Sequence, residues 1–367
     1  MLAPINERWL KESVERGMAF FMGQVPDRIP AMPLVIGKAG IDHGYTLYDF
    51  YTKPDLGVDT LLGAKMMYDC EMLPMWMYAT YWAEDYGATI KFPTGRMSAP
   101  ALVEPACKTL EEAENLEVLD LKELSKGPTM QRHWVALERA EKLLGPYFGA
   151  WSFPYEVFVQ VAWWVGPERA CLLVAQEPQL MHRLLKKAVE HCVNVNAIVA
   201  EKYGSSFIAA SSLLSSNTLS PKQCVEFNID YLSDMIKKSL DAGAGPGIFY
   251  HLCGDHATDW ELHKDVPMTP ATLMHIAYEG KNPIDLHKVI DVYGKKCCIL
   301  GNVDTTLLQI GTPAEVYEAS KQQVLIGKEA EKGFYAGTAC EVPPFMPTAN
   351  VFAFNQAVKD HGALPRS

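Results

Sequence analysis

The sequence predicts an α/β chain whose strand-and-helix units close into a single (β/α)8 barrel of the TIM type. Three observations predict it. Short apolar runs alternate with helical text through most of the 367 residues, the pattern of a parallel sheet with crossover helices. About eight such units fit within the length as one domain. The polar and metal-ligating residues gather where the apolar runs end, and barrels of this kind keep their chemistry at the C-terminal strand ends.

Residues 7–22 read as a charged amphipathic helix within an N-terminal extension over 1–24, and Gln24-Val-Pro-Asp-Arg-Ile-Pro30 breaks it before an apolar strand at 31–36. The stretch 55–67 is helical. It leads into 70–81, an apolar run with Trp76, Tyr78 and Tyr81 followed by Trp82; such a run is core text, and its aromatic density also suits the wall of an apolar ligand pocket. A small insertion at about 88–127 carries short strands and then an acidic helix. A helix over 128–144 precedes a strand at 147–153, whose exit holds Phe153 and Glu156. Helical text with Pro and Gly breaks covers 167–203. A strand begins at Phe207, and Ser220 caps the helix that starts at Pro221. That helix, over about 222–242, feeds Gly247-Ile-Phe-Tyr-His-Leu-Cys-Gly254. A helix at 270–279, strands at 282–287 and 297–304, a helix at 312–332, a strand at 333–340 and a closing helix from about Thr348 complete the chain.

Composition removes several function classes. With 33 basic and 44 acidic residues the formal charge is -11, which argues against nucleic acid or an anionic membrane as the main partner. No apolar run approaches a membrane span, and the N-terminus lacks the features of a signal peptide, so a cytoplasmic protein is expected. Nine scattered cysteines do not make a disulfide framework, and reduced thiols are expected.

Tyr250-His-Leu-Cys-Gly254 and Thr338-Ala-Cys-Glu341 carry the chemistry. His251 and Cys253 are two apart, so on a strand they leave from one face and can meet one ion, with Cys340 giving a second thiolate from another strand end. His-x-Cys alone is weak, because 10 His and 9 Cys produce such pairs by chance and a lone Cys is most often a small buried hydrophobe. The setting strengthens it. Both segments follow a short apolar strand and open a loop, so both ligand sets sit at C-terminal strand ends.

His251-Leu-Cys-Gly254, Leu300-Gly-Asn-Val-Asp304, Gly311-Thr-Pro-Ala-Glu-Val316 and Cys340-Glu-Val-Pro-Pro344 with Pro347-Thr-Ala-Asn350 resemble the uroporphyrinogen decarboxylase superfamily, and within it the zinc-dependent, corrinoid-linked methyltransferases. The resemblance runs over about residues 25–361. It implies a TIM barrel with the site at its C-terminal mouth, Zn2+ on His251, Cys253 and Cys340, and methyl transfer between a small substrate and the cobalt of a corrinoid, methylcobalamin or Co(I), brought by a partner protein. The decarboxylases hold porphyrinogen carboxylates with an arginine-rich N-terminal loop. Here that stretch is Val35-Ile-Gly-Lys-Ala-Gly40, without the arginine pair, so porphyrinogen decarboxylation is set aside. The nearest match to a corrinoid-binding Asp-x-His-x-x-Gly, at Asp285-Leu-His287, lacks the glycine. The corrinoid is therefore expected on a separate protein, and a homodimer is the assembly considered for the chain itself.

Further site residues are Glu84, touching substrate or metal, and His256, a proton donor, as catalytic residues, and Trp82, Phe153, Glu156, Asn217 and Asp285 as substrate contacts. Each has a plainer use. Glu84 can be a solvated helix start, Asn217 between Ser and Thr can cap a turn, and Asp285 can close a strand. The aromatic residues favour a methoxylated aromatic and O-demethylation. The alternatives are methyl transfer to a thiol of the coenzyme M type, a quaternary amine held by aromatic rings, and, in another class, a non-catalytic barrel binding a ligand or the corrinoid protein.

Overall fold

A computed structural model describes residues 5–71, 74–216 and 218–365. Its strands are β1 (Ala31–Met32), β2 (Thr89–Lys91), β3 (Ala101–Glu104), β4 (Ala150–Ser152), β5 (Ser205–Ser211), β6 (Ile248–Asp255), β7 (Thr272–Glu279), β8 (Asn282–Pro283), β9 (Cys298–Leu300) and β10 (Phe334–Gly337). Contacts divide the chain into two compact units. One comprises Met1–Trp76, Ala136–Phe148 and Met268–Ser367, and the other Met77–Val135 and Gly149–Pro267.

In the first unit β1, β10, β9 and β7 pair in that order, all parallel, with Ala31 opposite Ala336, Phe334 opposite Ile299 and Leu273 opposite Cys298. Every residue of β9 and β10 is buried. Strands covered on both faces read as continuous apolar runs rather than alternating ones, and Cys-Ile-Leu and Phe-Tyr-Ala-Gly are such runs. The entry to β1 is fixed by Glu71, which accepts from Ala31 N–H at 2.7 Å and from Arg16 and Arg28 at 2.8 and 3.0 Å. The segment 272–279, expected to be helical, is instead β7. Asp285, expected at a strand exit, is the exposed N-cap of the helix Leu286–Tyr293 and accepts from His287 N–H at 3.0 Å.

In the second unit β4, β5 and β6 are parallel neighbours, with Ala150 opposite Ser205 and Phe207 opposite Ile248. The insertion forms as expected: β2 and β3 pair antiparallel, and the helix Leu110–Asn115 follows, opened by a capping box between Thr109 and Glu112. The helix at Pro221 also begins with a capping box, from Ser220 and Gln223, and after Cys224 it widens into a π-helical stretch, Val225–Ile229. Seven strands in all, four and three, are parallel among the described residues. Among the same residues no single helix is long and apolar enough to cross a membrane.

Candidate functional site

β6 places two ligand-type side chains on one face. Ile248, Phe249 and Tyr250 are buried, and beyond them His251 and Cys253 are half-buried on either side of buried Leu252. Their common direction follows from the strand's two-residue period. Gly254, the last residue but one of β6, has φ +85°, the left-handed region where a Cβ is strained. Asp255 then turns the chain by accepting from Ala257 N–H at 2.9 Å.

Cys340 sits in the other unit, three residues beyond the end of β10, and it too is half-buried. Its loop is held by the Thr338 hydroxyl and one main-chain bond. Thr338 Oγ1 accepts from Leu34 N–H at 3.1 Å and donates to the Cys340 carbonyl at 2.8 Å, and Val342 N–H donates to the Leu34 carbonyl at 3.0 Å. Beside it Glu341 accepts from Gly37 N–H at 2.9 Å. Withdrawal from water pushes the Glu341 carboxyl up to about 7 against that hydrogen bond.

Glu156 lies just past β4 and is 1% exposed. One carboxylate oxygen accepts from Ser212 N–H and Oγ, both at 2.7 Å, while Oε1 has no hydrogen-bond partner among the described residues. Desolvation pushes its carboxyl from 4.5 up to about 7, although the Ser212 hydrogen bonds pull the other way. The sign for stability follows. The unfolded carboxyl ionises near 4.5 and the folded one near 7, so stability is full below 4.5, falls as pH rises between the two values, and levels off above. The shift corresponds to on the order of 3 kcal/mol. Glu156→Gln is expected to flatten the fall in urea-unfolding free energy between pH 5 and pH 8 by up to about that amount; an unchanged slope would show that Glu156 is not its source.

The remaining expected residues are placed as follows. Glu84 is ion-paired with Arg132, whose Nε also donates to Tyr78 Oη at 3.1 Å. Trp82 is fully buried and donates from Nε1 to the Phe153 carbonyl at 2.6 Å, and Phe153 is 2% exposed. Tyr81 meets both rings edge-on, at 5.7 and 6.3 Å between centroids. These aromatic residues, expected to line a pocket, therefore pack on one another as core. Asn217 lies outside the described residues. His256, expected as a proton donor, is buried with both ring nitrogens engaged, Nδ1 by Asp259 at 2.9 Å and Nε2 by the Ser211 and Cys253 carbonyls at 3.2 and 3.1 Å. Cys224, Asp259 and His263 complete that cluster and were not anticipated; the spacing His256-x-x-Asp259-x-x-x-His263 was the available signal.

No curated protein matches the chain in sequence. The solved structure of a methyltransferase from Methanosarcina mazei is similar to it with a TM-score of 0.77 at 18% identity, covering 95% of this chain and 98% of that one. That likeness shows the fold: α/β and TIM-barrel-like, with a mostly parallel sheet. A family model described as uroporphyrinogen decarboxylase (URO-D) matches residues 12–361. Spanning nearly the whole sequence, that match establishes that the chain belongs to the uroporphyrinogen decarboxylase family.

Proposed function

We propose that the protein is a zinc-dependent methyltransferase of a corrinoid system, moving methyl between a small methylated compound and the cobalt of a corrinoid carried by a separate protein. The observation that carries this reading is the pairing of His251 and Cys253 on one face in the C-terminal half of β6, with Cys340 beyond the end of β10. One imidazole and two thiols suit zinc, and three protein ligands leave a position for substrate, the mark of a catalytic rather than a structural site. Family membership and the methyltransferase name of the structural neighbour support the same class.

A zinc ion bound there supplies Lewis acidity toward a substrate oxygen or sulfur. The chain's own contributions are positional. The β6 backbone aims His251 and Cys253, and the Thr338 and Leu34 bonds hold the Cys340 turn. In O-demethylation, the reaction to be tested first, the methyl–oxygen bond breaks with its electron pair left on oxygen, and the two electrons of Co(I) form the new carbon–cobalt bond. The phenolate released then takes a proton. That proton comes from solvent water.

The test is a methyl-transfer assay of the zinc-loaded protein with Co(I) cobalamin and a veratrole-type ether, then with methylcobalamin and a small thiol. Methylation of Co(I) by the ether upholds the reaction and its substrate class. Transfer only to the thiol moves the substrate to the coenzyme M type. Transfer in neither direction, with Co(I) or methylcobalamin bound but unchanged, leaves a binding barrel and sinks the enzyme reading.

A further inference from the structure

We propose that Cys224, His256, Asp259 and His263 form a second zinc site, closed and structural, within the unit that carries β6. Their donor atoms converge on one point. Asp259 Oδ2 lies 2.9 Å from His256 Nδ1, 3.4 Å from His263 Nε2 and 3.1 Å from Cys224 Sγ. The ligand atoms of the two histidines and the aspartate are all within 4.8 Å of one another. Tetrahedral zinc with bonds of about 2.0–2.3 Å sets its donors roughly 3.3–3.8 Å apart, so a few tenths of an ångström of expansion admits the ion.

The outer ring nitrogens point the same way. Among the described residues His256 Nε2 faces only carbonyls, those of Ser211 and Cys253. When Nε2 carries the proton of the neutral ring, the Nδ1 lone pair is turned inward, toward Asp259. His263 Nδ1 is 2.5 Å from Tyr250 Oη, and when that hydroxyl accepts its N–H the Nε2 lone pair also turns inward. Metal-ligating histidines are held in this way, by an oxygen on the nitrogen away from the ion.

Charge and burial agree. His256 and His263 are 0% exposed, and Cys224 and Asp259 are 1%. A thiolate and a carboxylate neutralise Zn2+, so two neutral imidazoles complete a buried site with no net charge. Four protein ligands fill the coordination shell, which makes the site structural. Through the His256 Nε2–H bond to the Cys253 carbonyl it also fixes the strand exit from which Cys253 departs.

The deciding measurement is zinc content by mass spectrometry after zinc loading and desalting of the full chain, for wild type and for the double variant His251→Ala/Cys340→Ser. Two equivalents in wild type, with one kept by the double variant and lost on adding Cys224→Ser, are expected. One equivalent in wild type that the double variant abolishes overturns this site and leaves the first intact. One equivalent that survives the double variant, and disappears with Cys224→Ser, upholds this site and refutes zinc at the other. Cobalt loading of the double variant gives a check that does not depend on activity: a thiolate-to-cobalt charge-transfer band from Cys224 is expected, and its absence overturns the proposal.

Discussion

Cys253→Ser is expected to slow methyl transfer to Co(I) cobalamin by about 10²–10³-fold and to lower zinc retention at the His251 end of β6. The size follows from the several kcal/mol of charge stabilisation that a Lewis-acidic ion contributes, at 1.36 kcal/mol per factor of ten. Serine keeps the shape of the side chain but offers a hydroxyl, which does not ionise as a thiol does under a borderline-soft ion. The fold has little stake in the exchange, because Cys253 is half-buried while its neighbour Leu252 does the packing. A thermal midpoint close to wild type should therefore accompany the lost rate. Single-turnover kinetics alongside zinc content checks this; wild-type turnover at wild-type zinc would remove Cys253 from the ligand set.

Glu71→Ala is expected to destabilise the first unit by about 3–5 kcal/mol, the usual loss when one partner of a buried ion pair is removed. The Glu71 side chain is 1% exposed, and its carboxylate is shared by two guanidinium groups that are themselves 15% and 14% exposed. Arg16 keeps Asp27 at 2.6 Å after the change. Arg28 loses the carboxylate it shared, and Ala31 N–H, the first residue of β1, loses its acceptor. Glu71→Gln retains an acceptor for that N–H and should lose less. Urea unfolding of the two variants beside wild type measures the difference; equal free energies for all three would mean that water replaces the carboxylate without cost.

What was legible in the sequence was local. The cap at Ser220 is a short pattern whose partner lies three residues away, and it forms, with like boxes at Thr109 and Thr312 that the same spacing would have given. The insertion strands, the helix Pro128–Leu144 and the strand exit at Cys253 were readable for the same reason. Thr272–Glu279 was not, because six of its eight residues are buried in succession, and a short apolar run without alternation does not distinguish strand from helix. The aromatic stretch around Trp82 misled in another way: composition records how many rings are present, while a 0% exposure depends on what they face. Glu71 gave no signal either, since its guanidinium partners lie 55 and 43 residues away. The cluster around Asp259 was half visible in the spacing of its histidines, but Cys224 reaches it from 35 residues upstream.

The widened turn at Val225–Ile229 bears on how this chain could change in descent. A π-helical stretch holds one residue more than a regular helix would, and each residue of an α-helix turns the chain by about 100°. Deleting one residue there would restore the regular spiral but swing Cys224 away from Asp259, as long as Leu232, Met235 and Ile236 kept their buried face. Asn228, which donates to Ser211 Oγ at 2.7 Å, would lose its aim as well. A lineage could thus discard the cysteine from the cluster by a deletion, without ever mutating it. Across the family, the inserted residue and the buried Cys–His–Asp–His set are expected to be inherited, or lost, together.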